Sequence, residues 1–169
     1  MIFFTADTHL GHENIIKYCN RPFNNVREMD EAIINNWNSV VKKDDLVYHL
    51  GDFCFKSLSY YTNKLNGNII LIKGNHDFLE KEDYKYFNQV YDYKKIKFNN
   101  QKIILFHYPM RFWDCSHHGS WHLYGHIHGS HPSIGLSHDV GVDVNGFKPI
   151  SFTELKTIME LKTQHEAHH

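Results

Sequence analysis

Five short apolar runs, each followed by a side chain that can bind a metal, form the dominant pattern of the chain. A continuous apolar run that stops at a turn signal is typical of a buried β-strand. The clearest example is residues 69–72, after which Gly74 breaks the run. Ligands of open α/β sheets bind at the carboxyl ends of the strands, so we expect these side chains to converge. The runs and the residues that follow them are 1–6 with Asp7 and His9, 46–50 with Asp52, 69–72 with Asn75, 102–106 with His107, and 121–124 with His126 and His128.

Helical periodicity separates the first three runs. Residues 27–41 carry apolar side chains on one face, which predicts an amphipathic helix. Shorter helices are predicted at 13–18 and, after a loop, within 53–65. This alternation of strands and helices predicts parallel strand pairing with right-handed crossovers.

The second half of the chain has a different pattern. Asn99 and Asn100 separate two strand-like segments, 91–98 and 102–106, which predicts an antiparallel hairpin. Alternating apolar and polar residues at 139–144 predict another strand. The remaining segments are interpreted as helices, one in the charged, tyrosine-rich stretch 79–88 and one at 151–161 with Ser151 as its N-cap.

Length and composition favour one domain, 1–162, followed by a His-rich tail, 163–169, that we expect to be disordered. Hydrophobic residues make up 41% of the chain, enough for a core without disulfides, and three separated cysteines fit reduced thiols. Neither a signal peptide nor an apolar stretch long enough to span a membrane is evident, so we expect a cytoplasmic protein. The formal net charge of -1 argues against long nucleic acid as a partner.

The polar residues at the ends of the runs comprise two carboxylates, one amide and four imidazoles. These seven ligands are too many for a single tetrahedral zinc ion. They suit two ions about 3.5–4 Å apart that share one carboxylate. Mixed oxygen and nitrogen ligands favour divalent Mn, Fe, Zn or Ni over a metal selected by thiolates. We therefore predict a centre of two divalent transition-metal ions.

The order of these residues resembles the motif series of a known family, the calcineurin-like metallophosphoesterase superfamily, in a small single-domain form. The resemblance implies an α/β (α+β) fold, namely a four-layer αββα sandwich of two mixed β-sheets flanked by helices. The residues that carry the resemblance are, in order, Asp7-x-His9, Gly51-Asp52, Gly74-Asn75-His76-Asp77, His107 and Gly125-His126-x-His128.

The resemblance also implies a role for each motif residue. Asp52 would bridge the two ions together with a water or hydroxide. His76 would not bind metal but would stabilise the transition state or protonate the leaving oxygen, and the adjacent Asp77 could orient His76. One ion would be bound by Asp7, His9, Asp52 and His128, and the other by Asp52, Asn75, His107 and His126.

Three residues outside these motifs are candidates for binding substrate. Arg21 and Arg111 could each clamp a phosphate, because a guanidinium binds phosphate bidentately, and His12 lies just after the first motif. Arg21 could instead cap the preceding helix. His49, inside a strand, is interpreted as a hydrogen-bonded structural histidine, and His122 is interpreted as a surface or loop residue.

These predictions favour a two-metal phosphoesterase that acts on a small phosphate ester or nucleotide. Two cations neutralise the phosphate oxygens and lower the pKa of a bound water, and the resulting bridging hydroxide attacks phosphorus. No insertion is large enough for a cap domain, so an open site favours a phosphodiesterase over a phosphomonoesterase or nucleotide phosphatase. A non-catalytic binding or scaffold protein on this fold is the alternative, disfavoured because His76 and all seven ligand positions are present. The oligomeric state is left open.

Overall fold

Two mixed β-sheets stack face to face in the computed structural model, which describes residues 1–162. The strands of the first sheet are β1 (Ile2–Thr5), β2 (Leu46–His49), β3 (Asn68–Ile72), β4 (Gln89–Tyr91) and β9 (Ile150–Ser151). Their order across the sheet is β4-β3-β2-β1-β9. β1, β2 and β3 pair in parallel, as predicted, and β9 runs antiparallel to β1 at one edge.

The second sheet is built from β5 (Tyr93–Phe98), β6 (Gln101–Phe106), β7 (Trp121–Tyr124) and β8 (Ser137–Asp139), in that order. β5 and β6 form the predicted antiparallel hairpin, with Phe98 opposite Gln101. Its two turn residues, Asn99 and Asn100, have φ angles of 46° and 63°. Two successive left-handed residues define the type I′ turn that short hairpins prefer, and asparagine tolerates this conformation. β6, β7 and β8 then pair in parallel.

The helices form close to where the sequence predicts them. Within α2, the buried residues Met29, Ile33 and Trp37 lie on one face, and Asn25 caps the first turn by accepting a hydrogen bond from the amide of Glu28. The segment predicted as a helix at 79–88 is a 3₁₀ helix, Lys81–Tyr86. The α-helices are α1 (Glu13–Tyr18), α2 (Val26–Val40), α3 (Leu58–Thr62) and α4 (Phe152–Glu160).

Alternation along the strands divides the interior into two cores. Phe4, Tyr48 and Ile70 of the first sheet pack against Leu105 and Leu123 of the second sheet. The opposite face of the first sheet packs against α1, α2 and α3. The residues of that face are Phe3, Val47, Ile69 and Leu71. Two mixed sheets with flanking helices confirm the predicted fold class.

The outer face of the second sheet is covered differently from that of the first. Ile104 and His122 are paired neighbours on this face and are both fully buried. Trp113, from the loop after β6, covers them, with its ring centroid 5.4 Å from that of His122. The interpretation of His122 as a surface residue is therefore wrong. Its polarity is satisfied locally, because its Nε2 accepts a hydrogen bond from the amide of Met110 and its Nδ1 lies 3.3 Å from the carbonyl of Ile104.

The strand predicted at 139–144 is only partly correct, since β8 ends at Asp139. Beyond that point the amide of Gly141 donates to the Asp139 side chain instead of to a strand ladder. Gly141 also forms an isolated bridge with Ala6, which joins the carboxyl ends of the two sheets. Within the described part of the chain, no helix is long and apolar enough to cross a membrane. The predicted disordered tail lies outside the described residues.

Candidate metal centre

The first sheet delivers four of the predicted ligands to its carboxyl edge. Asp7 and His9 follow β1, Asp52 follows β2 and Asn75 follows β3. The loops after β1 and β2 run side by side, because the amide of Asp7 donates to the carbonyl of Gly51 and the amide of His9 donates to that of Asp52. Adjacent parallel strands therefore bring residues 45 positions apart in sequence into one site, as expected from the strand order.

The second sheet delivers the remaining three ligands to the same place. His107 follows β6, and His126 and His128 follow β7. The link between the sheets is the carboxylate of Asp7, whose two oxygens accept the amide hydrogen of His126 at 3.0 and 2.9 Å. The backbone bond from Val142 to the carbonyl of Ala6 reinforces that link.

One group of ligand atoms forms around Asn75. Its Oδ1 lies 3.0 Å from Nε2 of His107 and 3.0 Å from Nδ1 of His126. Oδ2 of Asp52 lies 3.6 Å from the same His107 nitrogen. These four residues are the set predicted to bind one of the two ions.

A second group forms around His9. Its Nε2 lies 3.5 Å from Oδ2 of Asp52, and ligand atoms of Asp7, His9 and His128 all lie within 4.8 Å of one another. The same oxygen of Asp52 therefore faces both groups, at 3.5 Å from His9 and 3.6 Å from His107.

The charge and hydrogen bonding of the cluster fit a cation. Nε2 of His9 is buried and has no hydrogen-bond partner among the described residues, although buried polar atoms are almost always satisfied. Burial raises the pKa of Asp7 well above its usual range and lowers the pKa of His9. A positive ion among these atoms would give the imidazole an acceptor for its lone pair and would favour the charged carboxylate. Divalent ions bound by nitrogen and oxygen suit this donor set.

The backbone of the cluster is held in an uncommon conformation. Non-glycine residues rarely adopt positive φ angles, and such strain is concentrated at functional sites. The ligands with positive φ are Asp7 (55°), His9 (49°), Asp52 (57°), His126 (71°) and His128 (48°). The chain therefore bends sharply at each of these ligands, and the surrounding hydrogen bonds hold it there.

Close approach explains two motif glycines. A Cβ atom on Gly51 would lie 2.5 Å from the amide nitrogen of Gly74, and one on Gly74 would lie 2.3 Å from Oδ1 of Asp52. Only glycines allow the loops after β2 and β3 to pack this tightly.

The sequence matches the calcineurin-like phosphoesterase superfamily domain over residues 1–134, a span that contains the whole ligand cluster. This chain belongs to that superfamily. The phosphoesterase is also 38% identical, over a 172-residue alignment, to the uncharacterized protein MJ1445 of Methanocaldococcus jannaschii. That match covers 94% of this chain and 91% of the relative.

Two further proteins are similar to this chain. The crystal structure of AQ665, a protein of unknown function from Aquifex aeolicus, superposes with a TM-score of 0.76 at 30% identity, covering 94% of this chain and 98% of the other. The Gene 66 protein of Mycobacterium phage L5 is 37% identical over 81 residues, which is 44% of this chain and 39% of that protein. Together the family match and the ligand cluster identify a metal-dependent phosphoesterase, a hydrolase of phosphate esters.

The imidazoles of the second sheet are oriented by acceptors from elsewhere in the phosphoesterase. Nδ1 of His107 donates to the carbonyl of Leu50 at 2.7 Å, so its Nε2 presents a lone pair to the centre. Nδ1 of His128 lies 2.7 Å from Oδ2 of Asp143. Burial alone would lower the pKa of His128, but the hydrogen bond to Asp143 and the nearby carboxylates raise it to about 10.

Arg21 supports this second imidazole instead of contacting substrate. Its side chain is completely buried, and Nε and Nη2 each donate to Asp143 at 2.8 Å. The remaining hydrogens go to the carbonyls of Asp7 and Thr8 and to the sulfur of Met29, which uses all the donors of a guanidinium. The structure therefore does not support the predicted role of Arg21 as a phosphate clamp.

Asp77 likewise has a role other than the predicted one. Its Oδ2 accepts hydrogen bonds from the amides of Asp52 and Gly74, and its Oδ1 accepts from the amide of Phe53. These bonds hold the loop that carries the Asp52 carboxylate, and the bonds to the His76 ring that were predicted are not among them. Asp77 is thus a positioning residue for Asp52.

His76 lies at the exposed rim of the centre. Its amide donates to Oδ1 of Asp52 at 3.0 Å, while its side chain is exposed and its ring centroid lies 6.0 Å from that of His9. The backbone of His76 is therefore fixed to Asp52, and the imidazole is left accessible. This placement is compatible with the predicted role of a histidine that acts on substrate.

The other predicted substrate-binding residues lie on two sides of the centre. His12 is half-buried, with Nδ1 3.4 Å from Nδ1 of His9. Arg111 is exposed, lies over the ring of Phe112, and lines a cavity of about 400 Å³ that also includes Ile127. Their roles toward substrate stay predictions.

His49 supports the loop that carries Asp7 and His9 through a hydrogen bond with Thr8. The hydroxyl of Thr8 donates to the carbonyl of Phe53 at 2.7 Å, so its oxygen must accept from Nε2 of His49 at 2.9 Å. Burial lowers the pKa of His49 to about 3, so the imidazole is neutral. The interpretation of His49 as a hydrogen-bonded structural histidine agrees with this contact.

Two carboxylates that organise the site were not identified from the sequence. Asp139 accepts from the amides of Gly129 and Gly141, which holds the loop after His128, and Asp143 connects Arg21 to His128. In the sequence, these two carboxylates flank Gly141 within the short stretch 139–143, whose other residues are apolar, and this pattern could have identified them.

Proposed function

We propose that this phosphoesterase holds two divalent transition-metal ions and hydrolyses small phosphodiesters, including cyclic nucleotides. The observation that carries the proposal is the position of one oxygen. Oδ2 of Asp52 lies 3.5 Å from Nε2 of His9 and 3.6 Å from Nε2 of His107, so it faces both groups of predicted ligands. A shared carboxylate is the usual link in a two-metal site.

Different residues would bind the ions, orient the ligands and donate the proton. When bound, the ions would neutralise phosphate charge and lower the pKa of the attacking water. Asp52 and Asn75 supply oxygen ligands, and the hydrogen bonds from His107 and His128 to their acceptors fix which ring nitrogen faces the centre. His76, exposed beside Asp52, donates a proton to the departing alkoxide.

Charge supports a diester over a monoester. A monoester carries up to two negative charges at neutral pH, whereas a diester carries one. The guanidinium of Arg21, which bonds to the carbonyls of Asp7 and Thr8, has all its donors used by the protein and so offers none to a second anionic oxygen. Asn75 and His76 are exposed, so the centre is open enough for a second ester group.

The test is an activity panel on protein loaded with Mn²⁺. Bis(p-nitrophenyl) phosphate, p-nitrophenyl phosphate, and 2′,3′- and 3′,5′-cyclic nucleotides are compared, with chelator-treated protein as the control. We expect the diesters to have the higher kcat/KM and elemental analysis to find two ions per chain. A higher kcat/KM for the monoester contradicts the diester preference, and one ion at saturation contradicts the dinuclear centre.

A further inference from the structure

A cavity of about 540 Å³ lies beside His76, and no role described above accounts for it. Its volume is within the range of about 300–1,000 Å³ typical of small-molecule sites. The loops after β2 and β3 form most of its wall, and the 3₁₀ helix Lys81–Tyr86 closes one side. The lining residues used below are Phe55, Lys56, Ser57, His76 and Phe78.

The cavity borders the predicted metal centre through Phe55 and His76. The ring of Phe55 lies 5.3 Å from that of the ligand His9 and 5.1 Å from that of His76. His76 is bonded through its amide to Asp52. A phosphate ester at the centre would therefore have its leaving oxygen on the His76 side, with the attached group directed into this cavity.

Two exposed aromatic rings line the cavity. Phe78, two residues after His76, is 85% exposed, and Phe55 is 40% exposed. Phe55 is supported from one side by His12, with ring centroids 4.0 Å apart and planes 18° apart. In the free protein an exposed phenyl ring adds little to folding stability, because little of its apolar surface is buried. It does offer a π-face on which a planar ligand can stack.

The cavity is lined by donors and also by two carboxylates, Asp77 and Asp83, which accept hydrogen bonds from backbone amides. Lys56 is exposed and forms no ion pair with any residue from 1 to 162. The hydroxyl of Ser57 lies nearby, at the start of α3. Together they suit the ring oxygen and nitrogen acceptors of a heteroaromatic group.

We propose that this cavity binds the leaving alcohol of the substrate and selects one that carries a planar aromatic or heteroaromatic ring, such as a nucleoside. The inference rests on the proposed function. Stacking against Phe78 and Phe55 supplies the selectivity, and His76 lies where the oxygen of that alcohol departs.

Binding of phosphonate probes, in which a P–C bond replaces the P–O bond to the ring-bearing group, tests the inference without cleavage at that group. Methyl benzylphosphonate and methyl cyclohexylmethylphosphonate carry the same charge and have similar size, but only the first has a π-system. We expect Mn²⁺-loaded protein to bind the benzyl compound about tenfold more tightly in titration calorimetry, the order reported for base stacking. Phe78→Ala should abolish this preference, and Phe112→Ala, at another exposed phenylalanine, should preserve it.

A turnover experiment identifies which ester group occupies the cavity. Hydrolysis of benzyl methyl phosphate breaks one P–O bond, with water supplying hydroxyl to phosphorus and a proton to the departing alcohol. We expect benzyl alcohol and methyl phosphate as the main products, and a shift toward methanol and benzyl phosphate in Phe78→Ala.

The outcomes separate this inference from the proposed function. Equal affinity for the two phosphonates, no binding of either, or a preference that survives Phe78→Ala overturns the inference. A benzyl preference in binding without hydrolysis of any diester overturns the proposed function and leaves the assignment of the cavity in place.

Discussion

The two sheets contribute different chemistry to the metal centre. The first sheet supplies every predicted oxygen ligand, and three of the four predicted imidazole ligands come from the second. The ligand loops of the first sheet hold one another through backbone bonds, as between His9 and Asp52. The imidazoles of the second sheet instead depend on acceptors from distant segments, such as Leu50 and Asp143.

This difference indicates where the site is sensitive to change. Backbone bonds between adjacent strands survive most side-chain substitutions, so the first half of the centre is set by the sheet itself. An imidazole held by a remote carboxylate loses its orientation when that single residue is replaced. The predictions below test each half and the residue at which the halves meet.

The largest effect is expected at Asp52, where the ligands of the two sheets meet. Asp52→Asn removes the charge that faces both ligand sets, while the amide oxygen can still accept from the amide of His76. We expect kcat to fall by about 10³-fold or more, as for loss of a major electrostatic group, and the metal content to fall to one ion. Steady-state kinetics and elemental analysis measure both, with Asp114→Asn as the surface control. Two ions with unchanged kcat would contradict the bridging position.

The second prediction concerns His76, which lies at the exposed rim of the part of the centre that the first sheet builds. His76→Ala should retain the metal ions, because its ring is at the exposed rim, and should lower turnover by about 10²–10⁴-fold, as for a general acid. The loss should be smaller for a nitrophenyl ester than for an alkyl ester, since nitrophenolate departs without a proton. Equal losses would show that His76 stabilises charge on phosphorus instead. Loss of metal would show that His76 is a ligand.

The third prediction tests the remote support of the second half. Asp143→Asn removes the carboxylate that orients His128 and also leaves Arg21 without its ion pair. We expect metal affinity to fall by about 10–100-fold, as for other acceptors behind histidine ligands. Competition with a fluorescent chelator measures the affinity. Unchanged affinity would show that the centre does not depend on this contact.

The ion pair between His128 and Asp143 predicts that stability and metal affinity depend on pH. The pKa of His128 is raised to about 10, above its unfolded value of about 6.5. In chelator-treated protein the ion pair therefore stabilises fully below pH 6.5, and this contribution is lost as pH rises through 10. A metal ion must displace the proton of His128 before it can bind there, so metal affinity should rise between pH 7 and 9. The rise should be less steep in Asp143→Asn, because this variant lacks the carboxylate that stabilises the protonated imidazole. A rise of the same steepness in this variant would contradict the assignment of the proton to His128.

The smallest effect is expected from a histidine of the second sheet outside the centre. Burial lowers the pKa of His122 to about 4, so its contribution to stability is present above pH 6.5 and is lost as pH falls toward 4. Acidifying from pH 7 to 5.5 should cost about 1 kcal/mol through this residue. Urea unfolding of chelator-treated His122→Gln should show that much less acid destabilisation than wild type, with His118→Gln as the exposed control. Identical pH profiles would show that folding does not lower the pKa of His122.

Local sequence patterns were sufficient for the ordered series of ligands. Each ligand follows an apolar run, and a buried strand needs only its own residues to be recognised. Parallel pairing then places the strand ends together, so the convergence of Asp7, Asp52 and Asn75 followed from the order of strands and helices. The hairpin at Asn99 and Asn100 and the cap at Ser151 depend on neighbouring residues alone, and both were predicted.

By itself, the sequence thus determined the family, the fold class and the residues of the predicted metal cluster. Only the tertiary structure decided the partners of long or buried polar side chains. Arg21 and Asp143 are 122 residues apart, and nothing local distinguishes a guanidinium bonded to protein from one free for phosphate. His122 is buried because Trp113 folds over its sheet, and Asp77 turns toward backbone amides instead of its neighbour. Such choices depend on which donors and acceptors packing brings together, because a buried polar group takes whatever partner lies within reach.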